Sequence, residues 1–417
     1  MSKLTQRTAI ALLATAALAG HARADSVIRI GVDLALTGGE AESATLIRDG
    51  IILAIDDVNA KGGVAGFKLE AAVMDDGTAT SAGYDPAQAA TNARRMAGDP
   101  TIVAAIGPMN SGSGKAMSPI LSQAGLATIT PSSTNPDITA PHFAALYRPA
   151  GPPVYFRTVT TDAYQGPNMA NYFIDVLKVA NVAILDDGGA GGSGMADTFQ
   201  KHAEERGLKV IARDRLDPKA SDYAPVLTRL KSMNVAAIYF GGDALAGVKL
   251  VKQSYEILPG IPKSGGDSTY EPDMLSGGGF PAFNGWYATI AAPHDLASEP
   301  AETWVKKFVA RFGQQPQDYS LTAYDAVLVI ADAISRSAKD SVMPTRAAVR
   351  TAIQATSIDT LQGQIAFDAN GDLTSHTVSV FQVQHDPAFP AGDMLHQWRY
   401  IGVAPQDSLD APKIKAD

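Results

Sequence analysis

Residues 28–63 read IRIGVDLALTGGEAESATLIRDGIILAIDDVNAKGG, and this stretch decides the fold. Ile28, Ile30, Val32 and Leu34 recur with period two, the pattern of a strand. Ile51, Ile55 and Val58 then recur at helical spacing until Lys61-Gly62-Gly63 ends the run. The following residues repeat the plan. A strand is expected over 68–74, Asp85 is placed as an N-cap with Pro86 at the first helical position, and the helix runs to Met96-Ala97-Gly98. A strand over 101–106, a helix over about 114–124 and a short strand over 126–129 complete a doubly wound half.

After a loop-rich stretch, 131–153, whose prolines, serines and asparagine cannot sustain a helix, the alternation restarts. Strands are expected over 181–185, 208–212 and 235–240, with helices near 195–206 and 223–231 between them. Helices near 301–312, 319–337 and 345–355 and strands over 364–367 and 378–384 then read as returns to both halves. The fold class is therefore α/β, built from two doubly wound, Rossmann-like halves.

Upstream of the first strand, Lys3 and Arg7 precede an uncharged run, TAIALLATAALAG over 8–20, and Ala22-Arg23-Ala24 carries small residues at minus three and minus one. This is the three-part pattern of a cleavable secretory signal, 1–24, too short in its apolar part to span a bilayer. Removing it takes away Lys3, Arg7 and Arg23 but no acid, so the net charge goes from −9 to −12. An acidic exported chain is a poor partner for nucleic acid or anionic lipid. With no cysteine it has no disulfide, no thiolate metal site, no thiol nucleophile and no lipid-carrying cysteine. A soluble periplasmic protein with no direct membrane insertion is the expectation.

Catalytic and metal constellations are thin. His142, His202, His294, His376, His385 and His396 show no metal-ligand spacing, and no G-x-S-x-G elbow occurs. Gly189-Ala190-Gly191-Gly192-Ser193-Gly194 has the form of a dinucleotide fingerprint, with Asp214 about twenty residues on. Asp186 and Asp187 stand where a pyrophosphate would approach, however, and would repel it. A flexible cleft loop and no cofactor is the favoured reading. Asp368-Ala369-Asn370-Gly371-Asp372 resembles the start of a calcium loop, but Leu373 sits where glycine is needed, so a two-residue hairpin loop is expected instead. More informative are Asn110-Ser111-Gly112-Ser113-Gly114 and Pro131-Ser132-Ser133-Thr134-Asn135. Each follows a strand of the first half, at the sheet edge where such folds bind ligands, and each offers hydroxyls and free N–H groups that suit a small carboxylate or simply cap helices.

Taken in order, Ile28-Arg29-Ile30-Gly31-Val32, Leu36-Thr37-Gly38, Val58-Asn59-Ala60-Lys61-Gly62-Gly63, Ile106-Gly107-Pro108, the run from Thr130 to Pro136, Phe156-Arg157-Thr158, Gln165-Gly166 and Gly265-Gly266-Asp267 resemble the periplasmic leucine/isoleucine/valine-binding proteins, the type I solute-binding family of ABC importers. The resemblance covers nearly the whole mature chain. It implies a Venus flytrap: lobe 1 from 25–156 plus 290–375, lobe 2 from 157–289 plus 376–405, three crossings near 155–158, 288–291 and 375–378, and a flexible tail over 406–417. It also implies a non-enzymatic, monomeric receptor that captures an amino-acid-like solute and presents it to ABC permease subunits. By position, Ser111, Ser133 and Thr134 would hold the α-carboxylate, and the Ser132 carbonyl and Asp267 would take the α-ammonium. Three positions where the family tends to place aromatic rings are Ser43, Gly191 and Asp243 here, which leaves room for a larger or more polar ligand, or for Tyr164 and Tyr270 to swing in. Asp243 is also a candidate cap for the helix starting at Ala244. A ligand sensor for a membrane receptor and a secreted Rossmann-type oxidoreductase are the alternative functions.

Overall fold

Strand β1 (Ser26–Leu34) is an interior strand of the first sheet, with Ile28, Ile30, Val32 and Leu34 fully buried. The computed structural model describes residues 26–407 apart from 79–82, 297 and 340–341. The signal expected at 1–24 and tail residues 408–417 lie outside the described residues. β1 pairs in parallel with β2 (Phe67–Asp75) on one side and β3 (Ile102–Ile106) on the other, followed by β4 (Ala127–Thr130) and β5 (Tyr155–Arg157). The order β2-β1-β3-β4-β5 reverses direction between β1 and β3. Helices α1 (Ala41–Ala60), α2 (Pro86–Gly98) and α3 (Ser111–Ala124) are the crossovers. Asp85 caps α2 through its carboxylate, which accepts from the Ala87 amide, and Pro86 opens the helix.

The second sheet repeats this order. Helix α4 (Asp162–Asn171) leads into β6 (Asn181–Asp186), α5 (Ala190–Glu205), β7 (Lys209–Arg215), α6 (Ala224–Ser232), β8 (Ile238–Gly241), α7 (Ala244–Ile257), β9 (Lys263–Gly265), α8 (Pro272–Gly278) and β10 (Tyr287–Ile290). Strands β7-β6-β8-β9-β10 are parallel, with the direction reversing between β6 and β8. Helices α9 (Glu299–Phe312), α10 (Asp318–Ser337) and α11 (Arg346–Gln354) then return to the first sheet, where α10 lies along α1. After a small hairpin, β11 (Ser357–Thr360) with β12 (Gly363–Ala366), the chain closes the second sheet with antiparallel β13 (Ser379–Val383) and β14 (Trp398–Val403).

The chain passes between the sheets three times, and the passes are tied side by side. The Thr160 amide donates to the Ala291 carbonyl at 2.7 Å, and the Ser379 hydroxyl donates to the Ala292 carbonyl at 2.8 Å. Each sheet buries a continuous apolar face against its helices, at about 1.5–3 kcal/mol for each fully buried branched or aromatic side chain. The architecture is thus the two-lobed, doubly wound α/β fold, and the two switch points face one cleft.

Two local expectations are corrected. The glycine-rich run 189–194 is no flexible loop: Gly189 is the N-cap of α5, and the helix includes Gly191, Gly192 and Gly194. Glycine is a poor helix former, but here close packing needs it. A Cβ on Gly192 would sit 2.5 Å from the Gly241 carbonyl oxygen at the end of β8. The turn at 368–372 is wider than a two-residue hairpin. Phe367 and Leu373 form the antiparallel bridge, and the Asp368 carboxylate accepts the amides of Asn370 and Asp372 inside it.

Candidate functional site

The hydroxyl-rich loop after β4 is held in shape from below. The Thr130 hydroxyl donates to the Pro108 carbonyl and accepts the Ser133 amide at 2.9 Å, while the Ser132 hydroxyl donates to the Met109 carbonyl at 3.0 Å. Under the loop lies Arg157, fully buried at the end of β5. Its guanidinium donates to the carbonyls of Ser133 and Asn135, to the Thr139 hydroxyl at 3.1 Å, and to Asp372 at 2.8 Å. One planar fork thus fixes two carbonyls of the loop, while the Thr134 carbonyl between them accepts the Asp162 amide at 3.0 Å. Asp372 reaches the fork from the turn described above.

Above this base is a narrow cleft between the lobes, lined by Ser111, Ser132, Thr134, Gly191, Asp243 and Asp267 of the expected set. Ser111 opens α3, whose N-cap Asn110 makes no side-chain cap, so the positive end of a 14-residue helix faces the cleft. The Ser111 hydroxyl oxygen accepts from the Asn135 amide at 3.2 Å and from the Ser133 hydroxyl at 3.3 Å, which leaves its own proton to donate. Among the described residues the Thr134 amide has no acceptor and the Ser132 carbonyl has no donor. Asp267 faces them from lobe 2, its two oxygens accepting from the Tyr319 hydroxyl at 3.0 Å and the Ser268 amide at 2.9 Å. Burial pushes its carboxyl up, and those two hydrogen bonds pull the other way. Donors without acceptors on one wall and a buried carboxylate on the other suit a zwitterion.

The remaining expected residues lie elsewhere. Ser133 is buried beneath the lining, its hydroxyl accepting from Tyr155 at 2.9 Å and donating to Ser111, so it orients Ser111 instead of facing the cleft. Ser43 is buried in the first turn of α1, where it accepts from Gln317 at 2.7 Å. Tyr164 and Tyr270 do not fill the pocket. Tyr164 stacks on His376 with ring centres 3.8 Å apart at the surface, and Tyr270 packs on Phe381 and Trp398 and donates to Asp318. Asp243 occupies the N-cap position of α7, yet its side chain caps nothing. The rings that do line the cleft are Tyr84 and Tyr319, joined by Glu271. None of these was picked from the sequence, although Tyr84 and Glu271 each stand directly before a helix-opening signal.

The fingerprint-like run has its amides engaged by its own acids. Asp186 accepts from the Gly188 amide and the Ser193 hydroxyl, and Asp187 accepts from the amides of Gly189 and Asp243. A pyrophosphate would have to displace two carboxylates from the groups that should bind it. Among the described residues no group of three or more histidines or acids is placed to hold a metal ion.

Comparison with known proteins agrees with this geometry. The family model described as periplasmic binding protein matches residues 27–388. The chain is 30% identical over 374 residues to the Leu/Ile/Val-binding protein BraC3 of Rhizobium johnstonii, covering 89% of this chain and 95% of that one. Its fold matches the leucine binding protein LivK of Thermotoga maritima with a TM-score of 0.77 at 24% identity, over 90% of this chain and 98% of the other. It also matches a solute binding protein of an ABC transporter from R. palustris in complex with benzoate, with a TM-score of 0.74 at 19% identity over 91% and 96% of the two chains.

Proposed function

The chain belongs to the periplasmic binding protein family, and from that premise we propose that its ligand is an α-amino acid, held by both ends of its zwitterion and delivered to the permease of an ABC importer. It is a solute-binding receptor of the periplasm. The observation that carries the amino-acid reading is the Ser111 hydroxyl, the Thr134 amide and the Ser132 carbonyl on the lobe 1 wall, facing the buried Asp267 carboxylate of lobe 2 across one cleft. The relatives' names, which include leucine, isoleucine and valine, support the same class. In this reading lobe 1 takes the carboxylate, lobe 2 closes over the ammonium through Asp267, and the two rock about the three crossings. The receptor is monomeric, performs no chemistry on its ligand, and is exported through cleavage after residue 24.

Micromolar binding requires about 8 kcal/mol, within reach of several charge-assisted hydrogen bonds at roughly 1.5–3 kcal/mol each, less the cost of closure. Calorimetry on two variants tests the arrangement. Asp267→Ala removes the ammonium partner and is expected to cost about 2–5 kcal/mol of binding. Thr134→Val keeps the shape and the backbone amide, so its loss stays near 1–3 kcal/mol. Unchanged affinity in Asp267→Ala would mean that no ammonium sits there.

A further inference from the structure

The end of the cleft beyond Asp267 carries more carboxyl groups than one zwitterion can use. Asp243, Asp267 and Glu271 all line it, and among the described residues no lysine, arginine or histidine does. Glu40 stands close behind, near enough for its charge to raise both Asp243 and Glu271. Three of these acids occupy the same kind of position. Glu40, Asp243 and Glu271 are the N-cap residues of α1, α7 and α8, where a carboxylate ordinarily accepts the first free amides of the helix. None of the three does so. Glu271 is the most exposed to this anomaly: it is 95% buried, and among the described residues its carboxylate has no hydrogen bond and no ion pair. Glu40 accepts from the Asn110 side chain at 2.7 Å.

A buried carboxylate without a partner, as at Glu271, is costly, and neighbouring acids that repel it make it more so. No helix cap accounts for them, and no metal-ligand grouping forms among the described residues. Glu271 lines the cleft, Glu40 lines the mouth beyond it, and Asp243 lines both.

We propose that the side-chain end of this cleft binds a cationic group, so that the solute is a basic α-amino acid whose terminal ammonium or guanidinium lies among Glu40, Asp243 and Glu271. The proposal rests on the amino-acid reading above and refines it. Three features support it together. Asp267 satisfies one positive charge and leaves the others unmatched. Gly191, on the same lobe, adds no bulk, since a Cβ there would meet only Ser111, at 3.8 Å. Past Tyr84 and Asp243 the cleft opens into a wider mouth that gives a long side chain room; Glu40, Asp187 and Asp217 line it together with Lys219 and Lys249, and the Lys249 ammonium is held by the Pro218 and Ala220 carbonyls. An isobutyl group in the same place would lie against carboxyl groups and leave Glu271 without a partner.

The test is calorimetric titration of ligand-stripped full-length mature protein with L-arginine, L-lysine, L-citrulline and L-leucine. Citrulline has nearly the shape of arginine without its charge, so the pair separates charge from hydrogen bonding. Arginine or lysine is expected to bind at least tenfold more tightly than both citrulline and leucine, and Glu271→Gln is expected to erase most of that preference. The same variant removes one member of a repelling cluster, so its ligand-free melting temperature should hold or rise, which distinguishes lost binding from lost folding. Leucine or citrulline binding as well as arginine would overturn the proposal while leaving the amino-acid reading in place. Failure of all four to bind would overturn both.

Discussion

Replacing Arg157 by methionine removes the fork on which the ligand-binding loop rests, without touching the cleft. The side chain is fully buried and serves four acceptors: two main-chain carbonyls in residues that are themselves buried, one hydroxyl and the Asp372 carboxylate. Each buried carbonyl left without a donor costs about 1–3 kcal/mol, while the desolvation of the guanidinium is no longer incurred. Asp372 is partly exposed and can recover water. The net loss is expected near 3–5 kcal/mol, the range for breaking one side of a buried ion pair. It should appear as a lower denaturation midpoint and as weaker binding, because the Thr134 amide and Ser132 carbonyl are no longer pre-oriented. Arg157→Lys keeps the charge but not the fork and should fall between. Parental stability and affinity in Arg157→Met would refute the role assigned to this residue.

Adjacent glycines of α5 should respond oppositely. Gly192→Ala pushes a methyl into the Gly241 carbonyl and is expected to cost about 1–3 kcal/mol in chemical denaturation, whereas Gly191→Ala meets only an ordinary contact and should be neutral or mildly stabilising. The charge cluster also makes a pH prediction for the ligand-free protein. Burial, with the charges of Asp76, Asp273 and Asp187, lifts Glu40 from its ordinary 4.5 to about 7. The folded state therefore holds this proton where the unfolded chain has lost it, so the stability this group contributes is present below about pH 4.5 and is lost as pH rises toward 7. The drop is on the order of 3 kcal/mol and should flatten in Glu40→Gln; an unflattened profile would remove Glu40 as its source.

The alternation of strands and helices was legible because period two and period 3.6 are local, and Ile28 to Leu34 need no partner to declare themselves. The hydroxyl loops were legible for a related reason: in a doubly wound sheet, whatever follows a strand lies at the ligand edge. What stayed hidden depends on distance along the chain. Arg157 meets Asp372 across 215 positions and Tyr319 meets Asp267 across 52, and no pattern near either residue announces the contact. The glycine run misled because its composition signals a loop or a phosphate site, while its cause is the approach of α5 to the end of β8. Tyr164 and Tyr270 misled similarly, since a ring near the cleft in sequence can be spent on another neighbour. Glu271 stood in plain view before Pro272, but an acid before a helix ordinarily caps it, and only the structure shows that this one does not.

The central claim is that both charged ends of an α-amino acid are gripped, and blocking each end in turn tests it most directly. L-arginine and L-leucine, each as the free amino acid, the methyl ester and the N-acetyl derivative, would be titrated into ligand-stripped protein by calorimetry. Each block removes one charged group facing Ser111 and Thr134 or Ser132 and Asp267, so whichever amino acid binds should lose about a hundredfold in affinity on esterification and again on acetylation. An ester or an N-acetyl derivative that binds as tightly as its parent would contradict the account.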